Sequence, residues 1–110
     1  LEGTEWVLRK LEGREGEALP GQATLAFASG KVSGSTGCNQ FQGTVREGES
    51  ATSLVIGPLI TTRKACPEPL MAQEHAFLEK LGQAGVFQFL FGDLVLSGAN
   101  GALVFSPRID

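Results

Sequence analysis

Apolar residues recur along this chain in short runs, each closed by glycine, proline or a polar pair. Glu5–Leu11 alternates, with Trp6, Leu8 and Lys10 on one side and Val7, Arg9 and Leu11 on the other. That pattern suits a strand covered in part on both faces. Ala23–Ala28 and Lys31–Ser35 read as strands joined by Ser29-Gly30, a two-residue hairpin connection in which glycine takes the positive φ. Phe41–Arg46, Leu54–Ile56 and Ile60–Thr62 are further short strands, and Gly13–Gly21 is a charged loop ending in the turn dipeptide Pro20-Gly21. Between these runs, Gly34–Asn39 breaks the alternation. Two glycines and an asparagine around Cys38 predict a sharp turn or a bulge there.

One segment has a helical period instead. Leu70, Phe77, Leu78 and Leu81 fall at i, i+7, i+8 and i+11, which is one face. Pro67 and Pro69 flank its start, where a missing N–H costs nothing, and Gly82 and Gly85 are expected to stop it. After it, Val86–Phe91 alternates with Phe87, Phe89 and Phe91 on one face, expected to point into the core. Gly92-Asp93 then turns into Leu94–Ser97, and Ala99-Asn100-Gly101 into Leu103–Ser106. The sum is an α+β domain of about eight short strands and one inserted helix.

Composition narrows this further. The chain of 110 residues fits a single domain over residues 1–110, and 42% hydrophobic with 19% charged residues is ordinary globular content. The net charge of −3 is spread with both signs interspersed, and there is no Lys/Arg cluster to meet a phosphate backbone, so nucleic acid is not an expected partner. No apolar run approaches the roughly 18 residues of a membrane-spanning helix. The first residue is leucine, which reads as a trimmed or mature product whose signal peptide or lipid anchor has been removed. With no heptad or long apolar surface stripe left over, a monomer is expected.

Few residues could carry chemistry. Cys38 and Cys66, the only 2 cysteines, admit three readings: a structural disulfide, two buried free thiols, or a redox or nucleophilic centre served by His75. A structural disulfide is expected, and it implies an oxidising compartment. There is no C-x-x-C spacing and only one histidine, so zinc is not expected. His75 reads as a surface residue. Glu74 is more informative, because it takes the i+4 position of the apolar helix face. A carboxylate there needs donors, for which Arg63, Lys64, Thr61, Thr62 or the backbone N–H groups of Gly37–Asn39 are candidates. Its structural reading ties the helix to those turns; the rival is a general acid/base in a cleft. Gly34-Ser35-Thr36-Gly37 lacks the Gly-Lys-Ser/Thr ending of a phosphate loop. Trp6 with Phe87, Phe89 and Phe91 reads as core or, alternatively, as the lining of an apolar cavity. No catalytic residue, metal or cofactor is expected.

A larger pattern joins these pieces. Trp6-x-Leu8, a strand ending in Phe27, Val32-x-Gly34-x-x-Gly37-Cys38-Asn39-x-Phe41-x-Gly43, Thr62-Arg63-x-Ala65-Cys66, and Met71-x-x-Glu74-x-x-Phe77-x-x-x-Leu81 stand in that order. With its closing pair of strands, this chain resembles the META domain, or HslJ-like, family over essentially its whole length. The resemblance implies a curved, mainly antiparallel sheet closing part-way into a barrel, with the helix packed on it. It implies a small bacterial cell-envelope protein, periplasmic or secreted and often a lipoprotein, connected with heat shock, stress response and antibiotic tolerance. It supplies no catalytic residues; Gly37, Cys38, Asn39, Thr62, Arg63, Cys66 and Glu74 transfer only as a structural motif. Three functions follow as expectations: a non-enzymatic domain binding a protein or envelope component, a carrier with an apolar cavity for a small molecule or lipid, and, least supported, an enzyme using Cys38 or Glu74.

Overall fold

Strands and helix fall close to where the pattern puts them in the computed structural model, which describes residues 3–12 and 19–108. In chain order they are β1 (Glu5–Leu11), β2 (Thr24–Ala28), β3 (Lys31–Ser35), β4 (Gln40–Glu47), β5 (Leu54–Ile56), β6 (Ile60–Thr61), α1 (Glu68–Gly82), β7 (Ala84–Leu90), β8 (Asp93–Gly98) and β9 (Gly101–Pro107). Of the loop expected over Gly13–Gly21, residues 13–18 lie outside the described residues.

Eight strands follow one another round an antiparallel sheet in the order β5-β4-β3-β2-β1-β9-β8-β7, and the two-residue β6 pairs with β4 off that path. The sheet curls until its outer strands meet. Ser53 forms a single bridge with Val86, and the Phe87 N–H donates to the Thr52 carbonyl at 2.8 Å. The result is a nearly closed barrel, the expected architecture. One end is capped by α1: its first half meets Gly21 and the turn after β3, and its last turn leads into β7 beside Gly98. The other end, where β1 begins and the β2–β3 and β7–β8 turns lie, has no such cap among the described residues.

Packing inside follows from the alternation, with two departures. In β1, strict alternation would bring Lys10 inward and send Leu11 out. A register shift against β9 between Leu8 and Lys10 resets the phase, so Trp6, Leu8 and Leu11 are all buried while Arg9 and Lys10 are both exposed. A bulge takes up one residue in this way and keeps the lysine in water. Phe77 of α1 is the centre of the core, with its ring 5.5 Å from Phe41 and 6.2 Å from Phe105, both edge-on. The helix buries Gln73, Phe77 and Leu81, spaced i, i+4, i+8, so the stripe is turned slightly from the predicted one and Leu70, Glu74 and Leu78 flank it half-buried. Nor does glycine stop the helix as expected: Gly82 is its last residue, Gly85 lies in β7, and Gln83 closes the end in an ordinary right-handed conformation.

The second departure is β7. Its expected trio of inward aromatics is wrong. The hairpin turn is Phe91-Gly92 rather than Gly92-Asp93, with φ of 53° and 86°. Phe91 is therefore at the tip and fully exposed, while Phe89 faces the inner side but lies at the uncapped mouth and is 54% exposed. A two-residue turn of this kind favours Asn or Gly at its first position, because the left-handed region crowds a β-carbon. Phe91→Asn is expected to stabilise the domain by about 1 kcal/mol. A urea midpoint that fell instead would show the ring making a contact that outweighs the backbone cost.

Candidate functional site

The segment Thr36–Asn39 is where the sequence motif becomes geometry. Thr36 leaves β3 and its N–H donates to the Asn39 carbonyl at 2.8 Å, closing a tight turn. Its hydroxyl oxygen accepts from the N–H groups of Cys38 (3.1 Å) and Asn39 (2.9 Å) and donates to Glu74 Oε1 at 2.8 Å. Serine and threonine hydroxyls organise local backbone in this way wherever the chain leaves regular structure. Gly37 sits within the turn at φ 100°, and a β-carbon there would lie 2.6 Å from Gln73 Nε2. Gly37→Ala is expected to cost about 2 kcal/mol, since both the backbone angle and the space oppose it. Thermal unfolding that matched the parent would mean the turn is more plastic than this geometry implies.

Asn39 is buried and uses its whole side chain. Oδ1 accepts from the Thr62 hydroxyl (2.8 Å) and the Lys64 N–H (2.7 Å), while Nδ2 donates to Glu74 Oε1 (2.8 Å) and the Lys64 carbonyl (3.0 Å). The Thr62 hydroxyl in turn accepts from the Gln40 N–H at 3.0 Å. One side chain thus joins the turn after β3, the segment after β6 and the helix. The Cys38–Cys66 disulfide closes the same three-way junction covalently, with Cα atoms 6.1 Å apart. The expected disulfide is present, so neither the free-thiol nor the thiolate reading describes this state. Glu74 is tied to the turns, but by different donors from those anticipated: the Thr36 hydroxyl and the Asn39 amide. Arg63 is exposed, as is His75, whose Nε2 lies 3.5 Å from Glu79 one helical turn on.

Two members escape a reading of the sequence. Gln73 Nε2 donates to the carbonyls of Thr36 (2.9 Å) and Gly21 (3.1 Å), which fastens the helix from its buried side to the turn after β3 and to the segment before β2. Counting back one turn from Phe77 would have found it. Thr36 is fully buried, and its signal is its place directly before a Gly-x-Asn turn. Among the described residues, no group of three His, Cys, Asp or Glu side chains is placed to hold a metal. No helix among them is long and apolar enough to cross a membrane.

The uncapped end differs in chemistry. A cleft of about 310 Å³ opens there beside the gap between β7 and the chain before β5, lined by the apolar Phe27, Val45, Leu54 and Phe87 together with Ala51, Ser53 and the charged Arg46 and Glu47. Phe89 continues the aromatic surface, 6.0 Å from Phe87 and 6.1 Å from Trp6 across the mouth. The Trp6 indole nitrogen is buried with no hydrogen-bond partner among the described residues. A larger groove of about 530 Å³ on the outer wall is lined mainly by polar side chains such as Glu5, Thr24, Ser33 and Gln42.

The model of the META domain matches residues 1–109. The chain belongs to the META domain family. This META domain is similar to a protein from Burkholderia xenovorans solved by NMR, at 26% identity and a TM-score of 0.78, covering 100% of this chain and 85% of that one. A second NMR structure shares the fold at 21% identity and a TM-score of 0.68, over 96% of this chain and 90% of the other. No functionally curated protein matches the chain significantly.

Proposed function

We propose that this META domain is a non-enzymatic binding domain of the bacterial cell envelope, periplasmic or secreted and held there in some forms by a lipid anchor. It acts as a monomer and supports stress or antibiotic tolerance by holding another protein or an envelope component. One observation carries this: both cysteines and Glu74 are committed to holding the capped end together, with Cys38 bonded to Cys66 and Glu74 Oε1 held by Thr36 and Asn39. What the fold leaves open is an apolar mouth at the opposite end. The disulfide favours an oxidising compartment, where such bonds persist. The test is complementation of a strain lacking the gene, scored for survival of heat and of an envelope-active antibiotic. Phe87→Ser at the mouth fails to restore tolerance, whereas Glu74→Gln, where it accumulates, restores it. The reverse pattern would indicate chemistry at Glu74 and end the non-enzymatic reading. Fractionation that found the protein in the cytoplasm with alkylatable thiols would end the envelope one.

A second reading, a carrier for a small apolar molecule or lipid, draws support from the same cleft and from the exposed rings beside it. Trp6 is the only tryptophan and touches Phe89, so its fluorescence reports occupancy of the mouth. A shift of its emission on titration with decanoate favours this reading; unchanged emission counts against it.

A further inference from the structure

The β7–β8 hairpin projects past the mouth with an edge that is not covered. Pairing between β7 and the chain before β5 consists of the Ser53–Val86 bridge and the Phe87 to Thr52 hydrogen bond, and among the described residues it goes no further along β7. Because the Phe87 N–H points across the gap, Phe89, two residues on, turns its N–H and C=O the same way. Open edges of this kind are usually blunted by a lysine, a proline or a bulge. Gln88-Phe89-Leu90-Phe91 contains neither charge nor proline, and Phe89, Leu90 and Phe91 are all exposed. Phe91 also holds a left-handed backbone angle that phenylalanine disfavours. For the domain alone this side chain is unfavourable twice, in exposure and in conformation, and a partner packed against it would offset the first of these.

The main chain indicates which partner. A lipid chain would cover the rings but leave the Phe89 N–H and C=O without hydrogen bonds, whereas an extended peptide meets both needs. The apolar cleft opens beside the same gap, since Ala51, Ser53 and Phe87 form part of its wall. Alternate side chains of a strand laid along β7 would point toward it.

We propose that the free edge of β7 at Phe89 takes an uncharged, extended segment of a partner protein as an added strand, with alternate apolar side chains entering the cleft walled by Phe27, Val45, Leu54 and Phe87. This rests on the binding-domain reading and names the class of partner. The experiment titrates the ¹⁵N-labelled domain with a synthetic peptide of alternating valine and threonine, lysine at both ends, and with its analogue N-methylated along one edge. The parent peptide is expected to slow amide exchange at Phe89 by about tenfold or more and to shift resonances of Phe87–Gly92 and Ala51–Leu54. The N-methylated analogue does neither. Phe91→Asn, which suits the turn, weakens binding several-fold while raising stability. Equal binding of the N-methylated peptide overturns the added strand, as does silence of the parent at about 1 mM. In either case, decanoate or phosphatidylglycerol vesicles shifting the same residues would preserve a binding mouth with a lipid occupant. Silence with every probe would remove the mouth as a binding site altogether.

Discussion

Breaking the Cys38–Cys66 bond is expected to lower the unfolding free energy by about 3–4 kcal/mol, through loss of the constraint on the unfolded chain. The bond spans 28 residues of sequence, so without it the unfolded chain regains the freedom of that whole loop. For a domain of this size the change corresponds to a fall in melting temperature of roughly 15 °C. The comparison is made between the oxidised protein and the Cys38→Ser/Cys66→Ser double variant, with alkylation and intact mass fixing the redox state. The variant still folds, because Asn39 and Glu74 hold the same junction through hydrogen bonds. A loss under about 1 kcal/mol would mean that the unfolded chain is already constrained near this turn, which the loop-entropy account does not allow. Retention of partner binding by the folded, reduced protein would separate the bond's stabilising role from function at the mouth.

Much of the capped end is legible in the sequence, and the reasons are local. Glycine pairs mark where strands stop, two cysteines in turn segments suggest a covalent tie, and an acid on an apolar helix face requires a donor nearby. Gln73 is obscured because a stripe drawn through Leu70 and Leu78 centres on Glu74. Complete burial of Phe77 and Leu81 turns that stripe by one residue and makes the amide the inner group. In β1 the adjacent polar pair Arg9-Lys10 between Leu8 and Leu11 is the mark of the bulge, visible only if alternation is allowed to slip. The β7 aromatics mislead for another reason. Period-two spacing states which residues share a face, but not where the neighbouring strands end, and Phe89 lies where the core has run out. Barrel closure depends on Thr52 and Ser53, just before β5, meeting Val86 and Phe87 of β7, segments far apart in sequence that leave no local signal.

Asn39→Ala is expected to cost about 3 kcal/mol or more, because it removes several partners at once from a poorly hydrated site. The Lys64 N–H and C=O, the Thr62 hydroxyl and Glu74 Oε1 each lose a hydrogen bond, and alanine leaves a void beside them. Asn39→Asp is the sharper variant. Its shape is unchanged, and one carboxylate oxygen still accepts from Thr62 and Lys64. The other oxygen replaces Nδ2 and faces both Glu74 Oε1 and the Lys64 carbonyl at about the distances of the former hydrogen bonds, so two carboxylates compete for one proton. Ionisation of the pair opposes folding, and protonation of either member relieves the repulsion. The deficit of this variant relative to the parent is therefore largest near neutral pH and shrinks as pH falls through the carboxylate range. Adding Glu74→Gln returns a donor opposite the introduced carboxylate, while the Thr36 hydroxyl can turn to the main-chain carbonyl of residue 39, 3.2 Å away in the parent. The double variant is expected to recover more than half of the loss in urea denaturation at pH 7, giving a favourable coupling energy in the mutant cycle. Strict additivity of the two changes would show that the asparagine and the glutamate do not act on each other, and the helix would then be held to its turns by Gln73 and the disulfide.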